Sequence, residues 1–172
     1  MKPRVRSFIL SVAVLGGVVV GPAQAQTTSD LHKCVDEKAP EAVINYCGRA
    51  IRSAQLSLYD TTAALLARGR AYFARGAYDR AIRDFDQALR LSPSFTEAYS
   101  ARGAAYVRKG EHDRAIQDLD QAIRQNPDFV QAFNNRGLAY LGKSAYDRAI
   151  QDFDVAIRLD PNYVQGFNDR GA

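Results

Sequence analysis

The sequence predicts an all-α solenoid of antiparallel helix pairs, and three observations predict it. The pattern A-x-x-x-R-G-x-A-Y followed by D-R-A-I-x-D-x-D-x-A-x-R-x-x-P occurs three times at a spacing of 34 residues. Gly69, Gly103 and Gly137 keep that spacing, as do Tyr72, Tyr106 and Tyr140 and the prolines Pro93, Pro127 and Pro161. Each unit also breaks near its middle and resumes a helical pattern. A period of this size marks helix pairs that are too small to bury an apolar face alone and must stack on their neighbours.

Residues 1–25 read as a secretory signal. Lys2, Arg4 and Arg6 are a basic start, Phe8 to Val20 is an apolar run of 13, and Ala23-Gln24-Ala25 supplies a small-x-small cleavage pattern, with cleavage expected after Ala25. Thirteen apolar residues are too few to cross a bilayer, which needs roughly 20. The expected location is therefore periplasmic or secreted, with no stable membrane insertion after cleavage. Without the signal, basic and acidic residues number 20 against 19. That near balance points away from nucleic acid as a partner.

Numbering the unit from Thr62, Thr96 and Val130 gives repeats 62–95, 96–129 and 130–163 within residues 61–163. Gly76, Gly110 and Ser144 fall at the central break. Asp79, Asp113 and Asp147 follow as expected N-caps of the second helix. Each proline lies just past that helix, where a residue without an N–H ends it. Antiparallel packing is expected to set position 8 (Gly69, Gly103, Gly137) against position 27 (Ala88, Ala122, Ala156). It likewise sets position 11 (Tyr72, Tyr106, Tyr140) against position 24 (Phe85, Leu119, Phe153). Arg68, Arg102 and Arg136 at position 7 recur with aspartates at positions 23 and 25, so salt bridges between helices are expected rather than a phosphate-binding stripe.

Small residues at positions 8, 20 and 27, aromatics at 11 and 24 (Leu119 excepted) and proline at 32 resemble the tetratricopeptide repeat, and the exported bacterial subgroup in particular. The resemblance covers residues 62–171. The chain departs from the family pattern at position 7, where arginine replaces an aliphatic, and at position 4, where Leu65, Tyr99, Phe133 and Phe167 replace tryptophan. The resemblance implies a right-handed solenoid, non-catalytic, acting by protein–protein interaction with a partner segment in the concave groove of the first helices. Carried onto this chain, the groove residues are Arg70, Phe73, Ser100, Val107, Arg108, Asn134, Asn135, Leu141 and Asn168. Phe73, Val107 and Leu141 form an apolar stripe, and the asparagines suit the N–H and C=O of an extended peptide. The paired lysines of the chaperone-tail binders are absent, so that specificity is not expected.

Cys34 and Cys47 are the only cysteines, and in an exported chain they are expected to pair. Shifting the repeat frame back by 38 residues places them at positions 11 and 24 of a worn first unit. Residues 26–60 then read as a degenerate hairpin with a disulfide staple, and 53–61 as its connector. A metal half-site lacks further ligands, and a redox pair has closer spacing. Residues 164–172 begin a fourth repeat. This leaves self-association through the C-terminal end, or a role as a structural subunit of a cell-envelope assembly, as the alternative function.

Catalytic signatures are missing. His32 stands alone, and His112 is expected to be an exposed turn residue. No nucleophile elbow, zinc-binding helix, phosphate loop or dinucleotide fingerprint occurs, so neither a catalytic residue, a metal nor a cofactor is expected.

Overall fold

A computed structural model describes residues 13–15, 18–53 and 55–162. Among the described residues eight helices carry the fold: α1 (Pro22–Asp36), α2 (Pro40–Arg52), α3 (Leu58–Ala74), α4 (Tyr78–Leu91), α5 (Thr96–Lys109), α6 (His112–Gln125), α7 (Val130–Gly142) and α8 (Tyr146–Leu159). Ahead of them, β1 (Ala13–Leu15) and β2 (Val18–Val20) pair antiparallel, with Val14 opposite Val19. Both strands fall within the apolar run of the expected secretory signal, whose valines suit a short strand pair.

Each helix packs on the next, and the odd-numbered helices also touch one another, α1 with α3, α3 with α5 and α5 with α7. This is an all-α solenoid whose inner wall is made by the first helix of each pair. The core runs along the stack through Leu65, Phe85, Ala88 and Ala98 into Ala115, Leu119, Ala122 and Ala132.

The turns within pairs share one design. Gly76, Gly110 and Ser144 take left-handed backbone (φ 73°, 77° and 59°). The following N–H donates back to the carbonyl of Tyr72, Tyr106 or Tyr140, at 2.9 Å in each case. That bond closes the first helix and lets the second start at once. The second helices therefore begin at Tyr78, His112 and Tyr146, with Ala77, Glu111 and Ala145 as N-caps that make no side-chain bond. The expected aspartate caps are corrected by this two-residue shift. Asp79 and Asp113 lie inside the first turn, and each pairs with a lysine of the following unit, Lys109 at 2.8 Å and Lys143.

The pairing register also differs from expectation, by nearly one turn. A Cβ added to Gly69 would come within 2.4 Å of the Phe85 ring, to Gly103 within 2.7 Å of Leu119, and to Gly137 within 2.4 Å of the Phe153 ring. Glycine at position 8 thus seats the large residue at position 24, because the tight turn slides the second helix towards its partner. Tyr72 and Tyr106 pack against the same cores as Phe85 and Leu119, and the tyrosines at position 11 also carry guanidinium groups: Arg80 over Tyr72, Arg114 over Tyr106 and Arg148 over Tyr140, at 5.6–5.7 Å.

At the N-terminal end, Cys34 and Cys47 are joined, their Cα atoms 4.8 Å apart. Leu31 stands where later units have the glycine, and it packs against the buried cluster of Cys34, Val43 and Cys47. The connector is shorter than expected. α3 starts one turn ahead of the frame, with the Ser57 hydroxyl accepting from the Asp60 N–H at 3.0 Å. Residues 163–172, and with them Asn168, lie outside the described residues.

Candidate functional site

The arginines at position 7 hold the wall of first helices in place. Arg68 donates through Nε and Nη2 to both oxygens of Asp84 at 2.7–2.8 Å. Arg102 does the same to Asp118 and reaches back with Nη1 to Asp86 of the preceding unit at 2.6 Å. Arg136 repeats this with Asp152 and Asp120. Arg102 and Arg136 also lie over the rings of Tyr99 and Phe133, at 5.7 and 5.5 Å, so the two departures from the family pattern, at positions 4 and 7, are one arrangement. The bidentate forks fix the rotation of each first helix, and therefore which residues face inward.

Two adjoining cavities open on that wall. One, of about 280 Å³, is lined by Arg70, Phe73, Glu97, Ser100, Ala101, Gln131 and Asn135 among others. The other, of about 510 Å³, shares Phe73, Ala104, Gln131 and Asn135 and adds Tyr78, Val107, Arg108, Asn134 and Leu138. Asn134 is 2% exposed, and its Oδ1 accepts no hydrogen bond. A buried carbonyl without a donor costs about 1–3 kcal/mol, so Asn134 is an energetically unfavourable point beneath the groove.

The comparisons agree with this architecture. The tetratricopeptide repeat profile matches residues 100–164, and a TPR repeat profile matches residues 69–110. The chain belongs to the tetratricopeptide repeat family. No curated protein sequence matches it. Among solved tetratricopeptide structures, the first such domain of Spaghetti (RPAP3), bound to the HSP90 peptide SRMEEVD, is 25% identical with a TM-score of 0.61, covering 64% of this chain and 87% of that one. The Sgt2 domain from Aspergillus fumigatus is 27% identical (TM-score 0.62; 64% and 75%). YrrB, a tetratricopeptide protein with an unusual peptide-binding site, is 20% identical and shares the fold over 88% of this chain and 75% of its own (TM-score 0.73).

Of the residues expected in the tetratricopeptide groove, the structure brings Arg70, Phe73, Ser100, Val107, Arg108, Asn134 and Asn135 to the two cavities. Leu141 is half-buried and lines neither. Ser100 and Asn134 form the floor, nearly covered. Phe73 meets the Tyr78 ring edge-on at 5.4 Å, and the Tyr78 hydroxyl accepts from Arg108 Nε at 3.3 Å. Glu97 and Gln131 line the cavities as the inner-surface positions of the repeat require; Tyr78 was missed, because it belongs to a second helix and enters only as its ring leans towards the next unit.

His112 corrects another expectation. It opens α6, half-buried, with its ring against Gly142 of the next pair, where any side chain would collide with it. Among the described residues, no cluster of His, Cys, Asp or Glu could hold a metal ion, and no helix is long and apolar enough to cross a membrane.

Proposed function

We propose that the chain is a binding protein that holds an extended segment of a partner protein in the groove formed by α3, α5 and α7. The observation that carries this reading is the pair of adjoining cavities on the wall of first helices, lined in common by Phe73, Gln131 and Asn135. Asn135 and Gln131 are placed to bond backbone groups of such a segment, and Phe73 and Val107 offer an apolar seat between the exposed guanidinium groups of Arg70 and Arg108. The peptide complex of the RPAP3 domain supports the same mode of use.

The reading includes export. The N-terminal signal directs the chain to the periplasm or outside the cell, and a disulfide suits an oxidising compartment. Processing after Ala25 removes the first turn of α1 and leaves the Asp30–Arg49 pair and the Cys34–Cys47 bond to α2.

The test is selection of peptides from a random extended library on the folded chain, followed by titration with groove variants. F73A and N135A are each expected to weaken the selected peptide about tenfold or more, the loss of one anchor or one amide contact. Unchanged affinity in both sinks the groove reading. A second reading, docking into an envelope assembly through the C-terminal end, rests on Tyr146 and Ile150, exposed at 61% and 44% where Tyr78 of the first repeat is half-buried and Ile82 buried. That reading predicts that peptide binding survives in the groove variants and that Y146S alters association state by light scattering.

A further inference from the structure

The ladder of arginines and aspartates is incomplete at its first rung. Arg102 and Arg136 each hold two carboxylates, the second belonging to position 25 of the preceding unit. Arg68 holds only Asp84. In the frame that aligns the stapled hairpin with the repeats, the residue that should supply the second carboxylate is Gly48. Its helix carries no side chain there, and the free Nη1 of Arg68 points at the gap, 3.7 Å from where a Cβ would stand.

A second guanidinium meets the same point. Arg52 Nη1 lies 3.3 Å from that Cβ position, and apart from the backbone of its own helix no other atom lies within 4 Å. Arg52 makes no ion pair among the described residues. Two cations therefore converge on a space that their sister rungs fill with an anion. Where a carboxylate is present, it sits towards solvent: the Asp86 and Asp120 side chains are 34% and 36% exposed. A group from outside can reach the equivalent place.

We propose that Gly48, Arg52 and Arg68 form a binding site for a carboxylate supplied in trans, taking the place of the aspartate that the ladder has in later rungs. Two guanidinium groups present planar donors that match a carboxylate. The site lies between α2 and α3, away from the groove lining, and does not depend on the groove reading.

The probe is acetate titrated against chloride at constant ionic strength, followed by the arginine side-chain N–H resonances of the oxidised chain. The expected result is a saturable shift at Arg68 and Arg52 with Arg102 and Arg136 unmoved. G48D places the carboxylate in cis and is expected to abolish the acetate response. R52A removes one charge-assisted donor and is expected to raise the midpoint about tenfold. Equal shifts along the whole ladder, no saturation, or a response that persists in G48D overturns the proposal. Replacing acetate with blocked Gly-Asp-Gly separates the sources: saturation at lower concentration assigns the site to a protein side chain, and equal saturation to free carboxylates.

Discussion

At the residue scale, glycine at position 8 decides how closely a pair can approach. Gly69 and Gly137 lie under phenylalanine rings, and Gly103 under Leu119. Alanine is the better helix former by about 1 kcal/mol, so an exposed glycine in these helices would gain from replacement. Here the added methyl meets a ring at 2.4 Å, and the ring is buried on all sides. Overpacking of a dense core costs about 1–3 kcal/mol, which exceeds the propensity gain. G69A is therefore expected to lower stability by about 1–2 kcal/mol in urea unfolding. In contrast, G48A, whose methyl meets only flexible arginine ends, is expected to leave stability unchanged or raise it. If both variants gain stability, position 8 is not a packing contact.

At the element scale, the stapled hairpin follows the repeat plan with substituted parts. The disulfide takes the place of the ring on glycine, and Leu31 packs against its cluster. Its charge pair is reversed: Asp30 stands where the repeats have arginine, and Arg49 grips it through two bonds of 2.6–2.9 Å. Even the outer acid–base link survives, with Glu41 and Arg75 at 3.2 Å matching Asp79 with Lys109 and Asp113 with Lys143. A hairpin with so few large side chains depends on its covalent bond. Closing a loop of this length contributes about 3 kcal/mol in the chain-entropy account. Reduction, or a C34S/C47S double variant, is expected to cost about that much. Hydrogen exchange should rise first in 22–53, with residues 78–142 still protected, because the hairpin has lost its staple and stacked repeats lose their ends before their middle. Uniform loss of protection would contradict this.

The same element shows what was legible in the sequence and what was not. The period, the paired cysteines and the arginine–aspartate ladder were readable because identical residues recur at a fixed spacing. The outer link was missed because only charge is kept there, glutamate or aspartate with arginine or lysine, across 30 or more residues. The register of glycine on ring was misplaced because periodicity fixes which face is buried but not how far one helix slides along another; the left-handed residue at the turn sets that. His112 was misread because Gly142, the residue that makes room for it, belongs to the next unit. In the groove, the residues facing inward followed from the family pattern, whereas the unpaired carbonyl of Asn134 is visible only in three dimensions.

At the scale of the whole molecule, the ionic ladder makes stability depend on pH in two opposing ways. The Arg49 guanidinium bonded to Asp30 holds that carboxyl below its ordinary range. The unfolded chain then binds this proton more readily, so the contribution of Asp30 is fully present above about pH 4 and is lost as pH falls through the folded value. Asp118 shifts the other way: burial, with Asp86 sharing the same arginine, pushes its carboxyl up despite the bonds from Arg102. A group that holds its proton more tightly when folded favours folding as pH falls through its raised value. Asp118 therefore flattens the acid limb that Asp30 steepens. Urea midpoints measured from pH 7 to pH 3 should fall less steeply for D30N than for the unaltered chain and more steeply for D118N, whatever each variant loses at neutral pH. Carbon-detected titration of the two carboxyl groups should find Asp118 protonating at the higher pH. The reverse order would mean that Arg102 outweighs burial at the centre of the stack, and the ladder would then stabilise the solenoid at every rung rather than chiefly setting the rotation of its helices.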